Sequence, residues 1–128
     1  MDTYECTLWK LAIADDSFID AVLGGEAANR EASRLDRKAH ALVRLGALIA
    51  LDARPPSYMS AIEGARRAGA SDDEIVGTLV AIMPSVGAAR VVAVAPELGL
   101  ALGYDVEAAL EGADAAVDGG SIRRAHDG

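Results

Sequence analysis

Three features of this chain predict an all-α fold: its apolar residues are mostly small, they recur at helical spacing, and capping signals separate the periodic stretches. Apolar residues make up 52% of the 128, drawn chiefly from Ala, Val, Leu and Ile, with one Trp, one Phe and three Tyr. Alanine has the best helix propensity, and its small side chain lets helix backbones approach. The length suits one domain with a real core. That domain is expected over residues 1–112, followed by a flexible acidic tail from 113 to 128.

The elements follow in order. Residues 3–14 place Leu8, Trp9, Leu11 and Ile13 around a short helix. From Ser17 to Leu23, Phe18, Ile19, Val22 and Leu23 fall at i, i+1, i+4 and i+5, a helix lying on a core. Gly24 and Gly25 stop it. Residues 26–34 are polar and read as a short helix or a flexible link. Asp36 is placed to cap a helix from Arg37 to about Leu51, with Arg37, His40 and Arg44 on one face and an apolar second half that must be buried. Pro55 and Pro56 bar its continuation. Ser57 is expected to cap a helix over 58–68, which Gly69 ends.

Ser71-Asp72-Asp73-Glu74 is a capping box with acids in the first turn, where the helix dipole favours them. The long helix it opens is expected to be kinked or segmented at Pro84 and Pro96. Gly103-Tyr104 ends that segment, and Asp105 caps a short helix to about Gly112.

The formal net charge is −8, which argues against a nucleic-acid partner, because phosphate backbones require a basic footprint. The acids crowd the second half, which carries few bases, and such a surface keeps an assembly soluble. The single cysteine, Cys6, has no internal disulfide partner and suits a reducing cytoplasm. The N-terminus lacks the basic and apolar regions of a signal peptide. The apolar run from Ile75 to Ala95 contains Pro84 and Arg90. An arginine at mid-bilayer costs about 2.5–3.5 kcal/mol, so a buried helix is expected rather than a membrane span.

Residues 35–103 resemble the carboxymuconolactone decarboxylase family, which includes the alkylhydroperoxidase D-like proteins. The resemblance rests on Leu35-Asp36, the apolar run Leu42–Leu51, a loop and helix ending at Gly69, the segment Ala70-Ser71-Asp72-Asp73-Glu74-Ile75-Val76, and a small-residue helix with Gly87. It implies an alkylhydroperoxidase D-like helical bundle that assembles as a dimer, trimer or hexamer, with a pocket beside the helix that follows the loop. In the family's redox branch a Cys-x-x-Cys and a His supply the chemistry. Counted back from Gly69, the two cysteines fall on Arg54 and Ser57, the His on Ala61 and the relay Glu near Ala41. Thiol peroxidase chemistry needs a low-pKa thiolate and a resolving partner. Dithiol peroxidase activity is therefore not expected, and the decarboxylase branch's histidine is missing too.

Five residues remain as candidates. Arg54 suits a substrate carboxylate, or is a surface arginine that caps the carbonyls ending the preceding helix. Ser57 orients a carbonyl or caps the helix, and no His–Asp pair accompanies it as a nucleophile would require. Tyr58 is a hydrogen-bond donor or weak acid, or else a core aromatic. His40 is a general base or part of an exposed basic face. Arg90 stands among apolar neighbours and must be paired if buried, with Glu63, Glu74, Glu97 or an acid of another subunit, or it holds a small anion.

Neither His40 nor His126 has the companions of a metal site, so no metal and no other cofactor is expected. Two functions compete. One is a non-redox lyase, decarboxylase or isomerase acting on a small carboxylated metabolite. The other is a binding or assembly protein on the same scaffold. A concave site where Tyr58 and an unpaired arginine converge on a bound molecule favours the first; a pocket filled by apolar side chains, with Arg90 in an ion pair, favours the second.

Overall fold

The computed structural model describes residues 2–118, less the side chains of 55, 56 and 114–118, and its regular structure over that range is helical. The helices are α1 (Thr3–Ala12), α2 (Asp16–Leu23), α3 (Glu26–Ser33), α4 (Arg37–Ala50), α5 (Pro55–Arg67), α6 (Asp72–Val86), α7 (Ala88–Leu102) and α8 (Val106–Asp118). The polar stretch after Gly25 is thus a helix rather than a link. α8 runs past Gly112 to Asp118; residues 119–128, His126 among them, lie outside the described residues. The chain forms two compact units, one up to His40 and one from Ala41.

In the first unit α2 packs against α1 and α3. Asp15 caps α2 by accepting from the Phe18 N–H at 2.9 Å. Trp9, Leu11 and Ile13 are about half exposed, and the one buried side chain described in this unit is His40. Asn29 explains His40. The Asn29 amide donates to the Val22 carbonyl at 3.1 Å, which turns its oxygen toward His40 Nε2 at 2.7 Å. An amide oxygen only accepts, so Nε2 carries the hydrogen. The face shared by Arg37, His40 and Arg44 is therefore not uniformly exposed.

The second unit owns the apolar core: Leu45 and Ile49 from α4, Tyr58, Ile62 and Ala65 from α5, Ile75 and Leu79 from α6, and Val91, Val94 and Leu98 from α7. The apolar second half of α4 is buried as its sequence requires, at 0% exposure for Leu45 and Ile49. Capping follows the sequence at three places. Asp36 Oδ1 accepts from the Ala39 N–H, Ser71 and Glu74 bond reciprocally, and Asp105 Oδ1 accepts from the Ala108 N–H.

Two helix boundaries differ from expectation. α5 begins at Pro55, so Arg54 takes the N-cap position and Ser57 lies within the first turn. Proline is favoured there because the N–H it lacks has no partner in a helix's first turn anyway. The break between α6 and α7 falls at Gly87, not at a proline. Gly87 has φ +94°, a conformation that costs an L side chain strain but glycine little. Pro84 and Pro96 stay inside helices. The carbonyls they leave without a helical donor belong to Val80 and Val92, both 65% exposed, where water can replace the lost bond.

Gly99 is fixed by close approach. After α7 the Tyr104 N–H returns to the Gly99 carbonyl at 2.8 Å, and a Cβ on Gly99 would stand 2.8 Å from the Tyr104 carbonyl oxygen. Ala gains about 1 kcal/mol of helix propensity over Gly, but moving backbone in a packed site costs up to about 3 kcal/mol. Gly99→Ala is expected to lose about 1–2 kcal/mol in urea denaturation; an unchanged or raised midpoint would contradict this packing.

Candidate functional site

Four residues at i, i+3, i+4 and i+7 set one wall of a cavity in the second unit. Arg90, Ala93, Val94 and Glu97 share a face of α7, and Asp52 and Tyr58 stand across from them in a space of about 380 Å³. Small side chains at Ala89 and Ala93 keep the space open between the polar groups. Seven residues of helix separate the Arg90 and Glu97 backbones by about 10 Å along the axis. The two opposite charges are thus held apart on one face.

Tyr58 is 2% exposed and belongs to the apolar core, with its hydroxyl donating to Glu97 Oε2. Burial first, then that hydrogen bond and the negative charges of Glu97 and Asp52, push the phenol up from 10.0 to about 12. At neutral pH Tyr58 keeps its proton and acts as a donor. Glu97 itself is solvent-exposed and offers its carboxylate to the cavity.

Arg90 does not pair with Glu63, Glu74 or Glu97. Its Nη1 donates at 2.8 Å to the carbonyl of Ala50, the last residue of α4, where helix carbonyls lack internal partners. That is one use of five N–H donors. Among the described residues no carboxylate forms an ion pair with it.

Asp52 owes its place to the way α4 ends. The Ala53 N–H bonds the Leu48 carbonyl and the Asp52 N–H bonds the Ile49 carbonyl, at 2.9 and 3.1 Å. That double closure requires a left-handed residue, and Asp52 adopts φ +57°. Aspartate tolerates this conformation better than most residues, though less well than glycine.

Of the five residues singled out from the sequence, Tyr58 and Arg90 meet at this cavity. Arg54 and Ser57 are exposed and are not among its described lining residues. Neither is His40, whose Nε2 is committed to Asn29. Glu97 and Asp52 complete the site, and sequence reasoning did not place them there. The seven-residue spacing of Arg90 and Glu97 in an otherwise apolar helix was the available signal for Glu97. For Asp52 it was an acid where a helix must turn left-handed.

Among the described residues no His, Cys, Asp and Glu side chains group in a way that would hold a metal ion. No helix described is long and apolar enough to cross a membrane. Comparison of the chain with protein-family models, curated proteins and solved structures finds no match.

Proposed function

We propose that this chain is a non-redox enzyme of lyase or isomerase type that moves a proton on a small carboxylated metabolite, built on a carboxymuconolactone decarboxylase-like frame. One observation carries the reading. A buried tyrosine that keeps its proton, a carboxylate hydrogen-bonded to it and an arginine that pairs with no acid among the described residues line one cavity. Each has a role that its chemistry suits. Arg90 receives the substrate carboxylate, because a guanidinium offers paired N–H donors in a planar fork. Glu97 takes a proton from a carbon beside a carbonyl. The electron pair moves onto that carbonyl oxygen, and the Tyr58 O–H, its one hydrogen released as the Glu97 carboxyl becomes neutral, turns from Glu97 to donate to the developing charge. In an isomerisation the proton returns from Glu97 to a different carbon; in a decarboxylation the C–C bond to the carboxylate breaks, its electron pair moves onto the carbonyl oxygen as carbon dioxide leaves, and a proton from solvent then replaces it at carbon.

The family resemblance supports the frame through the same segments that the sequence carries: the apolar half of α4, the end of α5 at Gly69 and the capping box of α6. Self-association belongs to the proposal as well. Val43 and Val80 are largely exposed on the second unit, and Leu42, Val43, Ile82 and Val86 line an apolar groove there.

Solvent-proton exchange tests the chemistry. In deuterated buffer, the protein should catalyse deuterium uptake at carbon in some member of a panel of small oxo- and unsaturated carboxylic acids, followed by proton NMR. Glu97→Gln should slow it by about 10²–10⁴-fold, and Arg90→Gln should weaken apparent binding. Saturable binding without any exchange would sink the enzymatic reading and leave a binding protein.

A further inference from the structure

The cavity holds more negative charge than a carboxylic acid alone would accept. Asp52 and Glu97 bring two carboxylates to a lining in which Arg90 is the one described guanidinium or ammonium. Neither acid is in an ion pair among the described residues, and Tyr58, not a base, is the partner of Glu97. A ligand with only a carboxylate satisfies Arg90 but adds a third negative group beside Asp52 and Glu97. Both acids already act on the Tyr58 phenol, and a third negative group there adds to that repulsion.

From this we infer that the natural ligand carries a cationic amine as well as a carboxylate, an amino-acid-like zwitterion whose acid end meets Arg90 and whose ammonium lies among Asp52 and Glu97. The inference deepens the reading of Arg90 as a carboxylate anchor, and rests on it. The geometry supports a ligand with separated ends. Arg90 and Glu97 stand two helical turns apart on one face, with only Ala93 and Val94 between them on that wall. The polar ends are thus recognised by fixed charges and the middle by small apolar side chains. A volume of about 380 Å³ is that of a small-molecule pocket. The backbone closure that ends α4 fixes where Asp52 leaves the helix, beside the cavity that its side chain lines. Its charge also reaches Tyr58, where it contributes to retaining the phenolic proton.

The test uses butyrate, butylamine and the α-, β- and γ-aminobutyrates as matched probes, titrated calorimetrically into the full chain. The three isomers vary the distance between the charges while keeping the carbon skeleton. At least one should bind about tenfold or more tightly than butyrate, the effect of one added charge-assisted hydrogen bond. Asp52→Gly suits the left-handed backbone position, so it removes the carboxylate without disturbing the turn. It should erase much of that preference, and adding Glu97→Gln should erase the rest.

Butyrate binding as tightly as all three isomers would overturn the zwitterion and leave the Arg90 anchor standing. Butylamine matching the best isomer would overturn the Arg90 anchor itself. A preference that persists in the double variant would show that these two acids do not read the amine. Failure of every acid to bind would defeat both readings together.

Discussion

Leu98→Ala is expected to destabilise the second unit by about 2–5 kcal/mol, whereas Leu100→Ala, two residues further along α7, should change stability by less than about 0.5 kcal/mol. Leu98 is 2% exposed and sits in the cluster with Ile49, Ile62 and Ile75; Leu100 is 56% exposed. Truncating Leu98 removes buried methyl groups and leaves a cavity between α7 and the α5 and α6 helices packed on it. Both losses count, because neighbours relax only partly into the space. Truncating Leu100 removes a side chain that water already reaches.

The contrast tests the orientation of α7, and with it the face that carries Arg90 and Glu97. Urea denaturation followed by far-UV circular dichroism is the suitable measurement. Fluorescence of Trp9 reports on the first unit instead. Equal losses at the two positions would mean that α7 is rotated and that the cavity wall is wrongly assigned. A loss near the upper end is a large part of the 5–15 kcal/mol typical of a whole domain, so low temperature favours a clean reading.

The second large effect appears in alkali. The Tyr58 phenol is raised from 10.0 to about 12 in the folded protein, so the unfolded chain loses that proton first. Below pH 10 both states are protonated and the stabilisation linked to Tyr58 is fully present. As pH rises from 10 to 12 the unfolded state ionises while the folded state does not, and about 2–3 kcal/mol is lost progressively, near 1.4 kcal/mol per pH unit at most. Above about 12 both states are ionised and the loss is complete.

Tyr58→Phe keeps the ring in the core and removes the titrating group. Its stability should fall less steeply than that of the wild type over this range, by that same total. At neutral pH the variant should lose only about 1 kcal/mol, because Glu97 is exposed and water can replace the lost donor. Parallel curves for the two proteins above pH 10 would show that Tyr58 is not held protonated. In that event neither burial nor the Glu97 carboxylate would be acting on the phenol, and the Tyr58–Glu97 pair would lose its support.

Local signals account well for the helices. The capping box at Ser71 and Glu74 and the caps at Asp36 and Asp105 read directly, because each is a bond between a side chain and backbone three residues away. Pro55 and Ser57 show the limit of that reading. A proline after a helix signals an end, yet the same residue is favoured in the first turn of the next helix, and composition alone does not say which applies. Pro84 and Pro96 were likewise poor guides, because their cost depends on whether the carbonyl left behind faces water. Val80 and Val92 do face it, and that is a fact of packing.

What the sequence determined by itself is the all-α class and most of the helix boundaries. These depend on neighbours within about a turn of chain, where spacing and propensity act directly. Only the tertiary structure decided the site. Tyr58 meets Glu97 across 39 residues, and Arg90 reaches the Ala50 carbonyl across 40. The tertiary structure also turned His40 inward onto Asn29, off the exposed face that was one expectation for it. Which charges share a cavity follows from how helices pack against one another, and no periodicity along one helix records its partner's register.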